Sequence, residues 1–384
     1  MRFLSMNRVL ELQRRMAEKD IGAVLITDPD SIYYFSGYFG YLGVDFGRPT
    51  MLFVPRSGDC TVITPLMESE MCRNMTWIED IRAWADGTQG EWGRPLHDLI
   101  GNHEMLTLGI ERMLIPTMVY EYLKEALSRV NCVDVGWLLS AMRMIKSVEE
   151  IEIMRQAGQV AVAMAEAAQA VIGEGVPEYE VVLAAIDGGT CKAAEFLSDD
   201  PPDLLVSPVV CNMSILQSGH DTCMVHRRSL VRRIQHGDPV YLCFCGAASF
   251  KYYKLGFDRE FFVGSVTDEQ AKAYEVAVKA QMTALEAIRP GVIAEDVHLA
   301  AASVYRDAGF EPGYRTGRSI GCSLLEKPEL KEGDRTPLQS GMTFAVDGGI
   351  TVPDRFGVRV GDSIVVNDKG FEYLTPYPKE LCIL

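Results

Sequence analysis

Along the first 148 positions, apolar residues recur in runs that switch between helical and strand spacing. In RVLELQRRMAEKD, Val9, Leu10, Leu12 and Met16 fall on one face of a helix. IGAVLIT follows as an apolar run of buried-strand length, and DPDSIYYFSGY turns the chain into its next element. MLFVP and CTVIT read as two strands joined by the turn residues RSGD. LTLGIE adds a strand and TMVYEYLKEAL a helix. Helices and strands in this alternation predict an α/β domain.

Between Asp134 and Ala170 the pattern becomes almost wholly helical, with one break near Lys146 and Ser147. Ser147 followed by Glu150 matches a capping box and predicts a fresh helix start. The domain boundary is expected there, giving domains 1–148 and 149–384. DEQAKAYEVAVKAQMTALEAI and IAEDVHLAAASVYRDAG predict two further helices, and GMTFAVDGG and DSIVVND two strands. No short-period repeat or low-complexity tract interrupts this order.

Composition narrows the picture. With 384 residues, 48% of them hydrophobic and 23% charged, the chain has enough material for two packed cores. No apolar run approaches the roughly 18 residues that span a bilayer, and the charged amphipathic start lacks a signal peptide's apolar core. A cytoplasmic, membrane-free protein is expected. The ten cysteines are scattered, and Cys243 and Cys245 in PVYLCFCGAA read as small buried hydrophobes rather than as zinc-spaced ligands. A formal charge of −16 speaks against nucleic acid as a partner and suits a substrate with a cationic group.

Three segments carry a resemblance over nearly the whole chain: RMIKSVEEIEIMRQA, TGRSIGCSLLEKPEL, and GMTFAVDGGI with GVRVGDSIVVNDKGFEYLT. They resemble the creatinase, prolidase and aminopeptidase P family. The resemblance implies an α/β N-terminal domain followed by an α+β pita-bread C-terminal domain whose curved sheet carries the site, in a homodimer. The family's metallopeptidases hold two metals on two aspartates, a histidine and two glutamates. At the corresponding positions this chain offers Phe244 or a neighbouring cysteine, Arg318 for the histidine, Gly361 for the last glutamate, Asp347 for the other, and Asp258 for the second aspartate. Too few donors remain, so neither a metal nor another cofactor is expected, and the chain looks closest to the metal-independent creatinase-like and ectoine-hydrolase-like members.

SGHDTCMVHRRSLVRRIQHGD resembles the creatinase segment around the catalytic histidine, which places His226 in that role; its ordinary pKa suits proton transfer near neutrality. His220 and His236 have no such position behind them. The same resemblance makes Tyr253 and Asp258 pocket residues and Asp347 a second pocket acid, two carboxylates able to hold a delocalised cation. Phe46 and Arg48 in DFGRPT correspond to residues that reach the partner subunit's pocket, where an arginine fork grips the substrate carboxylate. Arg318 stands where substrate can be touched, and Arg359 braces the sheet or Asp347. The leading expectation is hydrolysis of an amidine or guanidine C–N bond in a small carboxylate-bearing zwitterion. A lyase of a zwitterionic osmolyte, a dimetal Xaa-Pro peptidase and a non-catalytic binding protein stay open as alternatives.

Overall fold

The short apolar runs of the first region pair edge to edge. The structure, a computed structural model, describes residues 2–88, 90–102, 107–127, 129–198, 205–210 and 215–384. It divides into two compact units, Met1–Met142 and Arg143–Leu384. The capping box lies just inside the second: the Ser147 hydroxyl accepts the Glu150 amide, the Glu150 carboxylate accepts the Ser147 amide, and helix Val148–Val171 begins there.

In the first unit, β1 (Ala23–Ile26), β2 (Met51–Pro55), β3 (Thr61–Pro65), β4 (Asp80–Trp84), β5 (Thr107–Ile110) and β6 (Asn131–Asp134) form one sheet in the order β4-β3-β2-β1-β5-β6. Strand β1 runs antiparallel to β2 and parallel to β5. Leu25, Phe53, Ile63, Leu108 and Ile110 pack beneath it with Trp84 and Trp92. DPDSIYYFSGY becomes helix Pro29–Ser36, capped by Asp28 at its start and stopped by Gly37 at φ 75°.

The second unit is built on β7 (Ile215–Ser218), β8 (Pro239–Cys243), a hairpin of β9 (Ser249–Phe250) and β10 (Tyr253–Lys254), and β11 (Asp258–Phe262). It continues with β12 (Arg315–Ser319), β13 (Glu326–Lys331), β14 (Thr343–Val352), β15 (Phe356–Asn367) and β16 (Gly370–Tyr373). The main sheet runs β13-β12-β14-β15-β11-β8-β7, with β16 beside β15, and every pair in it is antiparallel.

Strand alternation gives this sheet two faces. On one, Phe344 and Val346 pack with Ala273, Ala277, Ala280 and Ala284 of helix Asp268–Ala287. Two residues on, Gly348 lets the strand touch that helix: a Cβ there would stand 2.2 Å from the Ala277 carbonyl oxygen. The intervening residues, Ala345 and Asp347, therefore turn to the other face. No helix among the described residues is long and apolar enough to cross a membrane.

Candidate active site

Antiparallel register lines up the residues of that second face. Asp258 on β11 stands opposite Cys243 on β8 on one side and opposite Gly361 on β15 on the other. Gly361 in turn stands opposite Asp347 on β14. Directly opposed residues project to the same face, so Cys243, Asp258 and Asp347 share a row with a gap at Gly361. Cys245, two residues beyond Cys243, lies close enough for its thiol to meet Asp258 Oδ1 at 3.7 Å.

Arg318 on β12 closes the group. Its Nη1 donates to Asp347 Oδ2 at 3.0 Å, its Nη2 to Cys245 Sγ at 3.2 Å and its Nε to the Leu324 carbonyl at 3.1 Å. The other Asp347 oxygen, Oδ1, is buried without a hydrogen-bond partner. It faces the gap: a Cβ on Gly361 would lie 2.8 Å from Asp347 Oδ1 and 2.9 Å from Asp258 Oδ2. Part of the Asp347 side chain, 31%, remains open to solvent, whereas Asp258 is buried.

Burial sets the electrostatics. It raises the Asp258 carboxyl above the ordinary range, against the pull of Cys243 and Arg318. It pushes Asp347 up to about 6, with Arg318 opposing the shift and Asp258 adding to it. A hydrogen bond that the Cys243 thiol donates to Cys245, together with burial, holds that thiol well above its usual value. Glu260, on the same strand as Asp258, is buried and strongly raised by desolvation; its Oε2 accepts the Arg359 amide at 2.7 Å while Oε1 has no partner.

Of the residues singled out from the sequence, the fold thus brings together Asp258, Asp347 and Arg318. Tyr253 is buried and turned elsewhere, its hydroxyl donating to Glu150 Oε1 at 2.8 Å. Arg359 braces the sheet through Thr351 Oγ1 at 2.7 Å and nearby carbonyls. His226 is exposed, two residues from Arg228, which bridges to Ile215 at the β7 edge of the sheet. Arg228 stands in the Asp258 row, three strand spacings or about 14 Å away. In the first unit, Arg48 pairs with Asp86 beside the exposed ring of Phe46.

Cys243 and Cys245, expected as small buried hydrophobes, stand beside the Asp258 carboxylate, and Glu260 was not singled out from the sequence. Cys243 shares the face of the acids through strand register, whereas Cys245 lies in the turn past the end of β8, where period-two spacing gives no rule.

Residues 152–368 match metallopeptidase family M24, and residues 8–145 match the creatinase/prolidase N-terminal domain. The chain belongs to family M24. Along 96% of its length it is 29% identical to the agropine synthesis cyclase of Rhizobium rhizogenes, covering 95% of that protein. It is 28% identical to the Xaa-Pro dipeptidase of Pyrococcus furiosus, with 97% of this chain and 99% of the relative covered. The Xaa-Pro dipeptidase of Bacillus anthracis superposes with a TM-score of 0.82 at 23% identity over 99% of this chain and all of that one, a likeness of fold. The α/β N-terminal domain and pita-bread C-terminal domain are as the resemblance implied.

These family M24 relatives correct the functional expectation. Relatives that are Xaa-Pro dipeptidases, within a metallopeptidase family, overturn the metal-independent hydrolase of an amidine or guanidine bond, creatinase-like or ectoine-hydrolase-like. The side chains nevertheless do not fit the two-metal donor set of the family. Arg318 stands where that set needs a histidine and spends its guanidinium on Asp347 and Cys245, and Gly361 has no donor to offer, so the carboxylate-and-histidine set cannot be completed.

Proposed function

We propose that this chain is a cytoplasmic hydrolase that splits the amide bond of a dipeptide-sized substrate, with Xaa-Pro dipeptides as the substrate class to test first. The observation that carries this reading is its end-to-end similarity to an Xaa-Pro dipeptidase, 97% of one chain on 99% of the other. Support comes from the row around Gly361, where two carboxylate oxygens face a gap that can accept a cationic or N–H-bearing end of a small substrate.

In this reading Asp347 Oδ1 and Asp258 Oδ2 bind that end. Arg318 holds Asp347 in place and offers positive charge to a scissile carbonyl oxygen as it gains negative charge. Arg48 and Phe46, contributed across a homodimer, take the substrate carboxylate and cover the pocket, and His226 serves proton transfer at its rim.

Release of free proline from a panel of Xaa-Pro dipeptides, with manganese, cobalt or zinc added singly, tests the proposal. Proline release that is lost in Asp347→Asn is the expected result; no release from any dipeptide with any cation would overturn it. The cyclase relative favours a second reading, ring closure within one small molecule. Mass spectrometry separates the two, because hydrolysis adds one water and such a closure removes one.

A further inference from the structure

The family's hard, carboxylate-rich metal set is absent, yet a different donor set stands in its place. Cys243 Sγ, Cys245 Sγ and an Asp258 carboxylate oxygen all lie within 4.8 Å of one another. We propose that these three side chains form a mononuclear site for a soft divalent cation of the zinc class. The inference goes beyond the peptidase reading and needs no substrate to be tested.

Geometry is the first support. Zinc binds thiolate sulfur at about 2.3 Å and carboxylate oxygen at about 2.0 Å in a tetrahedron, which holds a sulfur and an oxygen ligand about 3.5 Å apart. Cys245 Sγ and Asp258 Oδ1 are 3.7 Å apart, so the site closes with little movement. Cys243 is fixed by the β8–β11 register directly opposite Asp258.

Donor chemistry is the second. Two thiolates and one carboxylate select zinc, cobalt or iron over magnesium and calcium, which take oxygen ligands. Three protein ligands leave a fourth position for water, and Asp347 Oδ1, buried without a partner, flanks the Gly361 gap together with Asp258 Oδ2. The Asp347 oxygen can accept a hydrogen bond from a water in the fourth position.

Charge is the third. Binding displaces the two thiol protons. The two positive charges of the cation replace them one for one, so loading leaves the formal charge of the cluster unchanged. Arg318, 3.2 Å from Cys245 Sγ, then acts as a hydrogen-bond donor to a ligating thiolate rather than as a competitor for the ligands.

The test is metal analysis of the whole protein, purified under reducing conditions, followed by replacement with cobalt. One zinc-class ion per chain and thiolate-to-cobalt charge-transfer absorption, with the visible bands of a tetrahedral ion, are expected. Cys243→Ser and Cys245→Ser should each weaken zinc affinity by about 100-fold or more, beyond the 10–100-fold that loss of an outer partner costs. Asp347→Asn, which removes no ligand, should keep the charge-transfer bands. Circular dichroism checks that each variant is folded. Absence of the bands in folded wild-type protein would overturn the site, as would two ions per chain unaffected by either cysteine change. Neither result depends on the dipeptide assay, so the two proposals fail separately.

Discussion

Among the described residues of the second unit, two of the buried charge clusters are built in opposite ways. In the first, Glu326 sits between two cations: Oε2 accepts Lys146 Nζ at 2.8 Å, and Oε1 accepts Arg143 Nε at 3.3 Å and the Ser323 amide at 3.1 Å. Arg143 also reaches the Ser323 hydroxyl, and Lys146 the Ser319 hydroxyl. In the second, one cation, Arg318, is shared by an aspartate and a thiol, with Asp258 near by and an Asp347 oxygen left bare. Leaving a buried polar atom unpaired costs about 1–3 kcal/mol. The first cluster spends its hydrogen-bonding capacity on the fold; the second keeps some in reserve for a ligand. Saturation, more than burial or charge, separates a structural ion cluster from a candidate site.

The largest effect should come from breaking the saturated cluster. Glu326→Leu strands two buried cations and should lower unfolding free energy by about 3–5 kcal/mol in urea titrations. A loss below about 1 kcal/mol would make the two clusters alike.

Asp347→Asn should do the reverse. We expect kcat/KM to fall about 10²–10³-fold while stability changes by less than about 1 kcal/mol, because the lost charge was not fully used by the fold. A variant that unfolds with normal turnover per folded molecule would break the comparison.

Acid sharpens it further. Although burial alone would raise the Glu326 carboxyl, Lys146 and Arg143 hold it below its usual value. Its stabilising contribution is therefore present above the unfolded-state pKa near 4.5 and is lost as pH falls through the lower folded value. Wild-type stability should drop in that acid window, and Glu326→Gln should remove that part of the slope. The smallest effect should be Gly361→Ala, whose methyl group narrows the gap between two carboxylates that can shift aside. About a tenfold rise in KM with near-normal stability is expected from substrate titrations.

Much of the architecture was legible because it rests on local rules. The Ser147–Glu150 box starts a helix where expected, and the alternation in GMTFAVDGG turns Asp347 away from the helices. The chemistry was less legible. The stretch HRRSLVRRIQHGD suggested a catalytic His226, yet its ordered contacts belong to its arginines. Arg227 Nη2 binds buried Glu178 at 2.7 Å, and Arg232 Nη1 binds Asp238 at 2.6 Å. Those ion pairs anchor the segment that carries His226. Tyr253 turns toward Glu150, 103 positions away, and Arg318 reaches Cys245 across 73. Such pairings arise only when elements distant in the chain meet, and no local spacing announces them.

The register at Gly361 also bears on descent. Backbone pairing places positions 258, 361 and 347 in one row whatever side chains they carry. The sheet is thus a fixed template on which reactive groups can be exchanged singly. Arg318→His with Gly361→Glu would restore two of the donors that the resemblance assigns to the metallopeptidases. A lineage can cross between thiolate-rich and carboxylate-rich chemistries in a few substitutions, without a change of fold along the way.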